Sequence, residues 1–272
     1  MIDNQIIRHS VNAYNLSASS ENKIHDDSVA KRFGFNGGLV PGVEVYAYMI
    51  NPILQHYGED WLKRGQATCR LLKPVYDGQD TQILGEITSA DELLLRVETA
   101  SDTCARGIAK MGSTSQQPIT KEFSDIHLPD FASRPEASPI SLSIGTTLGT
   151  FKQLMTQHDQ EQYLKDVRET NDIFKKSEIV HPGWILRMAN RALSMNVKLG
   201  PWIHVGSNIQ NVCTAYTGHT LAAHGFVTNL YENKGHHFVV IDVTIIDEKK
   251  TCIALIEHTA IYRPRQVTET TE

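Results

Sequence analysis

Two apolar runs at helical spacing, far apart in the chain, set the plan of the sequence. In the first, Val45, Tyr46, Met49, Ile50, Ile53, Leu54 and Tyr57 follow Pro41-Gly42; in the second, Trp184, Leu186, Met188, Ala189, Ala192, Leu193 and Met195 follow Pro182-Gly183. Both runs are apolar around much of the helical circumference, which predicts two central, buried helices. Proline fits the first turn of a helix, where its missing N–H would have no partner anyway. Pro52, inside the first run, is expected to kink or shorten its helix. After each helix the pattern changes to short, partly alternating runs rich in β-branched residues. These predict strands at about 66–73, 80–89, 92–101 and 103–111, and again at about 206–214, 219–231, 236–247 and 251–263. Asp77-Gly78, Thr217-Gly218 and Asn233-Lys234-Gly235 mark turns between them. From Gly42 to Gly78 is 36 residues, and from Gly183 to Gly218 is 35. Thr103-Cys104 and Thr251-Cys252 open the last strand of each set. The chain reads as one unit, duplicated.

The stretch with the most chemistry, Ser20 to Gly42, lies ahead of the first helix. A polar cluster with one histidine, Ser20-Glu21-Asn22-Lys23-Ile24-His25, precedes a short helical segment with Val29, Ala30 and Phe33 on one face. A glycine-rich turn then delivers Val40-Pro41-Gly42. A free histidine titrates near neutral pH and can take or give a proton. A helix start carries unpaired N–H groups and partial positive charge, which suits a carbonyl oxygen or a developing oxyanion. Asn22 reads as orienting His25 or a water, and equally as a turn or capping residue. The second unit holds an echo, Glu169-Thr170-Asn171-Asp172-Ile173-Phe174, in which Asn171 aligns with Asn22 and Phe174 replaces His25. From the Asn to the helix Gly is 20 residues in the first unit and 12 in the second, so the second has lost the short helix.

This pattern resembles the MaoC-like, or (R)-specific enoyl-thioester hydratase, family of the hot-dog fold. Its signature runs Asp-x-Asn-Pro-x-His, a short helix ending near Gly-Phe, a Gly-rich turn and Val-His-Gly into the central helix. Asn22 and His25 match; Ala30, Gly34-Phe35, Gly37-Gly38 and Val40-Pro41-Gly42 match in kind. The family's acid falls on Ser20, with Glu21 one place later. The resemblance runs from about residue 8 to 264 and implies an α+β double hot-dog. Two tandem repeats, at 1–112 and 141–264, would each wrap a central helix in a bent antiparallel sheet, with a crossing linker at 113–140 and a tail at 265–272. It implies a hydratase or dehydratase acting on a 3-hydroxyacyl or trans-2-enoyl group carried by CoA or acyl carrier protein. His25, Asn22 and Glu21 would be the catalytic set. The Gly42 N–H would bind the thioester carbonyl beside Val40, Pro41 and Ser20, with no cofactor and no metal. Ser20 can hold a water but cannot act as a carboxylate base. A one-residue shift of the loop would be needed for Glu21 to do so. Two other readings stay open: a non-catalytic acyl-thioester-binding protein, and a hot-dog enzyme using His25 alone as isomerase, cyclase or thioesterase. Phe174 cannot transfer a proton, so any hydratase activity is expected in the first repeat only.

Composition narrows the partners. The net charge is −5 with no basic run, which argues against a nucleic-acid surface. No apolar run approaches membrane-spanning length and the first residues do not resemble a signal peptide, so a cytoplasmic chain with no membrane partner is expected. The four cysteines are widely spaced and read as buried thiols. His181, His236-His237 and His258 show no metal-ligand spacing, and His181 reads as a packed residue at a helix entrance. Trp202-Ile203-His204-Val205 lies just before the second sheet, its Trp read as core. No nucleotide-binding glycine loop or hydrolase elbow is present. Pairing of two chains into a homodimer is left open.

Overall fold

Both apolar runs are helices, and both lie inside the molecule. The protein was analysed as a computed structural model, which describes residues 5–112 and 123–265. Residues 113–122 of the expected linker and 266–272 of the expected tail lie outside the described residues. The first half runs β1 (Ile6–Asn12), α1 (Asp27–Arg32), α2 (Gly42–Tyr57), α3 (Asp60–Arg64), β2 (Gly65–Leu71), β3 (Asp80–Ser89), β4 (Glu92–Glu98) and β5 (Thr103–Met111). The second runs β6 (Phe151–Leu154), α4 (Gln157–Asp166), α5 (Ile173–Lys176), α6 (Pro182–Ser194), β7 (Ile203–Asn211), β8 (Thr220–Asn233), β9 (His236–Asp247) and β10 (Cys252–Arg263).

One antiparallel sheet carries all ten of these strands, in the order β1-β3-β4-β5-β2-β7-β10-β9-β8-β6. The order of the second half mirrors the first about the β2–β7 pair. That pair is in register from Gln66↔Gln210 to Arg70↔Gly206. A single unit would expose β2 as a free edge, and an exposed edge invites pairing with another chain. Duplication within the chain closes that edge. Each half folds its sheet around its own helix: α2 packs on β1, β3, β4 and β5, and α6 on β6, β8, β9 and β10. The two helices also touch each other. This is a double hot-dog, as the sequence led us to expect. Twin features confirm the correspondence of the halves. Gly78 and Gly218 both turn through the left-handed region, at φ 72° and 81°. Isolated bridges Leu39↔Tyr76 and Ile179↔Tyr216 stand in matching places. We propose the boundaries near residues 112 and 141 on this layout.

Pro52 does not end α2; the helix continues through it and runs 16 residues, from Gly42 to Tyr57. The proline is buried against β3, where its Cβ sits 3.3 Å from the point a Cβ on Gly85 would occupy. The glycine leaves room for the ring, so tertiary packing overrides the local cost of proline. Five elements escaped the sequence reading, among them the four-residue α5, Ile173–Lys176, where the second unit was expected to have lost its short helix. β1 and β6 are the edge strands of the sheet, short and largely polar. α3 is a five-residue helix. α4 is too polar to show an apolar face, but its Thr156–Asp159 capping box was a legible start signal.

Candidate functional site

The loop carrying His25 is held rigidly. Asn22 caps a one-turn 3-10 helix, Lys23–His25, and Asp26 caps α1 through the Ser28 and Val29 amides. The His25 carbonyl accepts from Asn15 Nδ2 at 2.9 Å, and Leu39 N–H donates to the Ile24 carbonyl. A Cβ on Gly38 would stand 2.1 Å from the His25 carbonyl oxygen, so only glycine lets the turn close against it.

The His25 ring is fixed at both nitrogens. Nδ1–H donates to the Leu39 carbonyl at 2.6 Å, and Nε2 accepts from Asn22 Nδ2 at 3.3 Å. This is the neutral tautomer, with its Nε2 lone pair engaged by the long Asn22 contact. Burial lowers the pKa from the ordinary value, offset in part by the Leu39 carbonyl, so His25 is a neutral base at pH 7. Asn22 does more than cap. Its Nδ2 donates to the Trp202 carbonyl at 2.9 Å and its Oδ1 accepts from the Trp202 N–H at 3.2 Å. It therefore clips the first half's motif onto the second half's backbone.

His25, Asn22, Pro41, Asn190 and Trp202 form a partition between two cavities. The smaller one, called the inner cavity for its apolar lining, is about 240 Å³ and is lined by Val40, Gly42, Val45, Leu71, Ile203 and His204 among others. The outer one is a groove of about 710 Å³ between the start of α2 and the face of α6. It carries Lys23, Arg134, Arg187, Arg191 and Lys198 against Glu21 and Glu44. Glu44 is held by Arg187 and by the Tyr163 hydroxyl, an ion pair that ties α2 to α6.

The site residues named from the sequence fall into two places. His25, Asn22, Val40, Pro41 and Gly42 all line the inner cavity. Ser20 and Glu21 line the outer groove instead. Ser20 Oγ donates to the Asn22 carbonyl at 3.4 Å. The Glu21 carboxylate lies 3.7 Å from Arg134 Nη1, with its side chain 70% exposed. Neither makes a hydrogen bond to His25. The Gly42 N–H begins α2 with no side-chain cap, because its N-cap residue is Pro41.

The corresponding place in the second half is filled. His181 Nδ1 accepts from the Gly183 N–H at 3.1 Å, capping α6. Phe174 packs on the His181 ring with centroids 4.6 Å apart, and both are fully buried. Glu169 faces His181 Nε2 at 3.4 Å and accepts from Asn51 Nδ2 and the Asn171 N–H. Burial would raise this carboxyl, but His181, Asn171 and Asn51 outweigh it and its pKa is lowered. Glu169 therefore ties the second half's helix start to Asn51 of α2 and makes no hydrogen bond to His25.

Further residues belong to the site. Arg187, Asn190, Arg191 and Ser194 form one polar stripe of α6, a helix otherwise buried and apolar. That polar stripe, at intervals of three and four, was the signal in the sequence. Asn190 Oδ1 is shielded from water and has no partner. His204 left no such signal, because nothing local tells which pocket a strand residue enters. Among the described residues, no group of three or more His, Cys, Asp or Glu is placed to hold a metal ion. No helix among them is long and apolar enough to cross a membrane.

The architecture and site are those of a double hot-dog protein with one open helix start. A protein of Chloroflexus aurantiacus described as a MaoC-domain dehydratase is similar in structure, with TM-score 0.66, 11% identity, and coverage of 96% of this chain and 95% of that one. A conserved protein of Mycobacterium tuberculosis described as having a double hotdog fold gives TM-score 0.62 at 13% identity, covering 96% of each chain. A Lactobacillus plantarum protein described as an oleoyl thioesterase gives TM-score 0.57 at 8% identity, covering 98% of this chain and 99% of that one. At these identities the likeness establishes the fold. No family profile matches the sequence, and no curated protein matches it.

Proposed function

We propose that the chain is an acyl-thioester hydratase or dehydratase of MaoC type, acting on a trans-2-enoyl or 3-hydroxyacyl group carried by CoA or acyl carrier protein. The observation that carries this is a neutral, half-buried His25 lining the same cavity as the uncapped Gly42 helix start. The carrier arm lies in the outer groove, whose arginines and lysines suit its phosphates, and the acyl group enters the apolar inner cavity. The thioester carbonyl accepts from the Gly42 N–H. A water takes the place of the long Asn22 Nδ2 contact at His25 Nε2, donating one proton there and the other to the unpartnered Asn190 Oδ1, both on the partition. His25 takes a proton from this water as its oxygen bonds to C3. The electrons of the double bond pass to the carbonyl oxygen as an enolate, where the helix start stabilises them. The imidazolium then returns a proton to C2, which balances the addition of one water. His25 does both transfers because no carboxylate reaches it.

A second reading, thioester hydrolysis, is favoured by that same lack of a carboxylate partner and by the thioesterase description of the Lactobacillus plantarum structure. In it, the water attacks the carbonyl carbon and the thiol leaves. Incubation with crotonyl-CoA decides between them. Loss of enoyl absorbance with appearance of 3-hydroxybutyryl-CoA supports the hydratase. Release of free thiol with no hydrated product overturns it in favour of the thioesterase. Binding of acyl-CoA with neither product leaves an acyl-binding protein.

A further inference from the structure

The inner cavity contains a second polar device, built from the strands of the second half. His204 and Ser207 lie three residues apart on β7 and would face opposite ways in a regular strand. The pairing with β10 slips there, Thr259 facing Gly206 and Ala260 facing His204, so Val205 is the extra residue of a bulge. The bulge turns both side chains inward. His204 Nε2 lies 2.8 Å from Ser207 Oγ, which lies 2.9 Å from His258 Nδ1. The two imidazoles are stacked, with centroids 4.3 Å apart and planes 16° off parallel. At the ends of this chain, His204 Nδ1 and His258 Nε2 are shielded and without partners. His204 Nδ1 is 2.8 Å from the point where a Cβ on Gly42 would stand. It thus sits against the helix start itself.

An unpartnered buried donor costs about 1–3 kcal/mol, so its presence calls for a partner that arrives. The equivalent pair in the first half supports a dedicated purpose. Counting back equally from the twin hydrogen bonds of Leu72 and Lys73 to Cys104, and of Val212 and Cys213 to Ile253, Ser207 and His258 fall on Ala67 and Ala109. The polar chain exists only in the half that walls the open site.

We propose that His204 is a second hydrogen-bond donor, beside the Gly42 N–H, for the carbonyl oxygen of a bound acyl thioester, with Ser207 and His258 as positioning residues. This rests on the thioester reading above. His258 Nδ1–H donates to Ser207 Oγ, and the Ser207 hydroxyl donates to His204 Nε2, which leaves the proton of His204 on Nδ1. A carbonyl seated at Gly42 satisfies that proton and presses on Leu71, whose Cδ1 crowds the same point. Burial lowers the pKa of His204 to about 4 and that of His258 well below the ordinary value, so both stay neutral near pH 7. A neutral imidazole donating to an enolate oxygen is a known catalytic arrangement.

The test is the infrared carbonyl stretch of butyryl-CoA labelled with ¹³C at the thioester carbon and bound to the full chain. The wild type should shift the stretch to lower frequency, His204→Phe should return it most of the way, and Ser207→Ala should lie between. Hydration by His204→Phe should fall on the order of 10²-fold in kcat with KM little changed. Histidine ¹⁵N spectra of the wild type, which need no variant to fold, should show one protonated Nδ1 moving when butyryl-CoA is added. An unchanged stretch in a His204→Phe variant that binds butyryl-CoA, or no histidine Nδ1 response, overturns the His204 assignment and leaves the thioester reading intact. A wild type that binds no acyl-CoA overturns both.

Discussion

The two helix starts are built alike and finished differently. At Gly183 the first N–H of the helix is taken by His181, and Phe174 and Glu169 close the space around it. At Gly42 the proline before it offers no cap, and the space opens onto two cavities with His25 between them. The upstream Asn keeps its local task in both halves: Asn22 Oδ1 accepts from Ile24 N–H, and Asn171 Oδ1 from Ile173 N–H. So the backbone motif survived duplication, and the side chains that decide access diverged. In the closed copy every side-chain polar atom of Glu169 and His181 is occupied by protein. In the open copy the Gly42 N–H and Asn190 Oδ1 are left for something else.

The largest expected effect comes from removing His25. His25→Ala should lower turnover of the thioester substrate by about 10²–10⁴-fold, read by enoyl absorbance at saturating substrate. Activity equal to wild type would erase the functional difference between the halves. Next is the mirror change, Phe174→Ala. The ring is fully buried, so the variant should lose about 3–5 kcal/mol of stability in denaturant titrations while keeping its kcat. A loss of kcat in the folded variant would show that the closed copy contributes to turnover.

Acid provides the third test, and its sign follows from the depressed pKa of His204. Between about 4 and the ordinary 6.5, the folded state binds fewer protons at His204 than the unfolded chain does. Stability from this group is therefore complete above about 6.5 and falls as pH drops toward 4, by about 3 kcal/mol. His258, lowered in the same direction, adds to it. Melting in a pH series should show the loss, and His204→Phe should flatten it. The smallest effect is expected at Glu21. Its carboxylate is exposed and faces Arg134, so Glu21→Gln should change kcat far less than His25→Ala does. A loss comparable to that of His25→Ala would mean the loop moves Glu21 into the site when substrate binds.

Much of this was legible in the sequence, because it rests on local periodicity. The 3.6-residue pattern after each Pro-Gly placed both helices. The alternating runs placed eight of the ten strands, with bounds close to those observed. The stretch that holds the candidate site was visible too, since His25 and Gly42 lie close in sequence. What local pattern could not supply was anything set by pairing between distant segments. Pro52 is tolerated because Gly85 stands opposite it. The edge strands β1 and β6 carry too little apolar signal and are fixed by their neighbours β3 and β8. Asn22 reads as a cap, and only the fold brings Trp202 against it from the other half. His204, Ser207 and His258 are scattered along the chain, and a bulge with the register of β7 against β10 puts them in one line behind Gly42. Periodicity says which face a residue takes within its own element. Which wall of which cavity that face becomes is decided only when the two halves pair along β2 and β7.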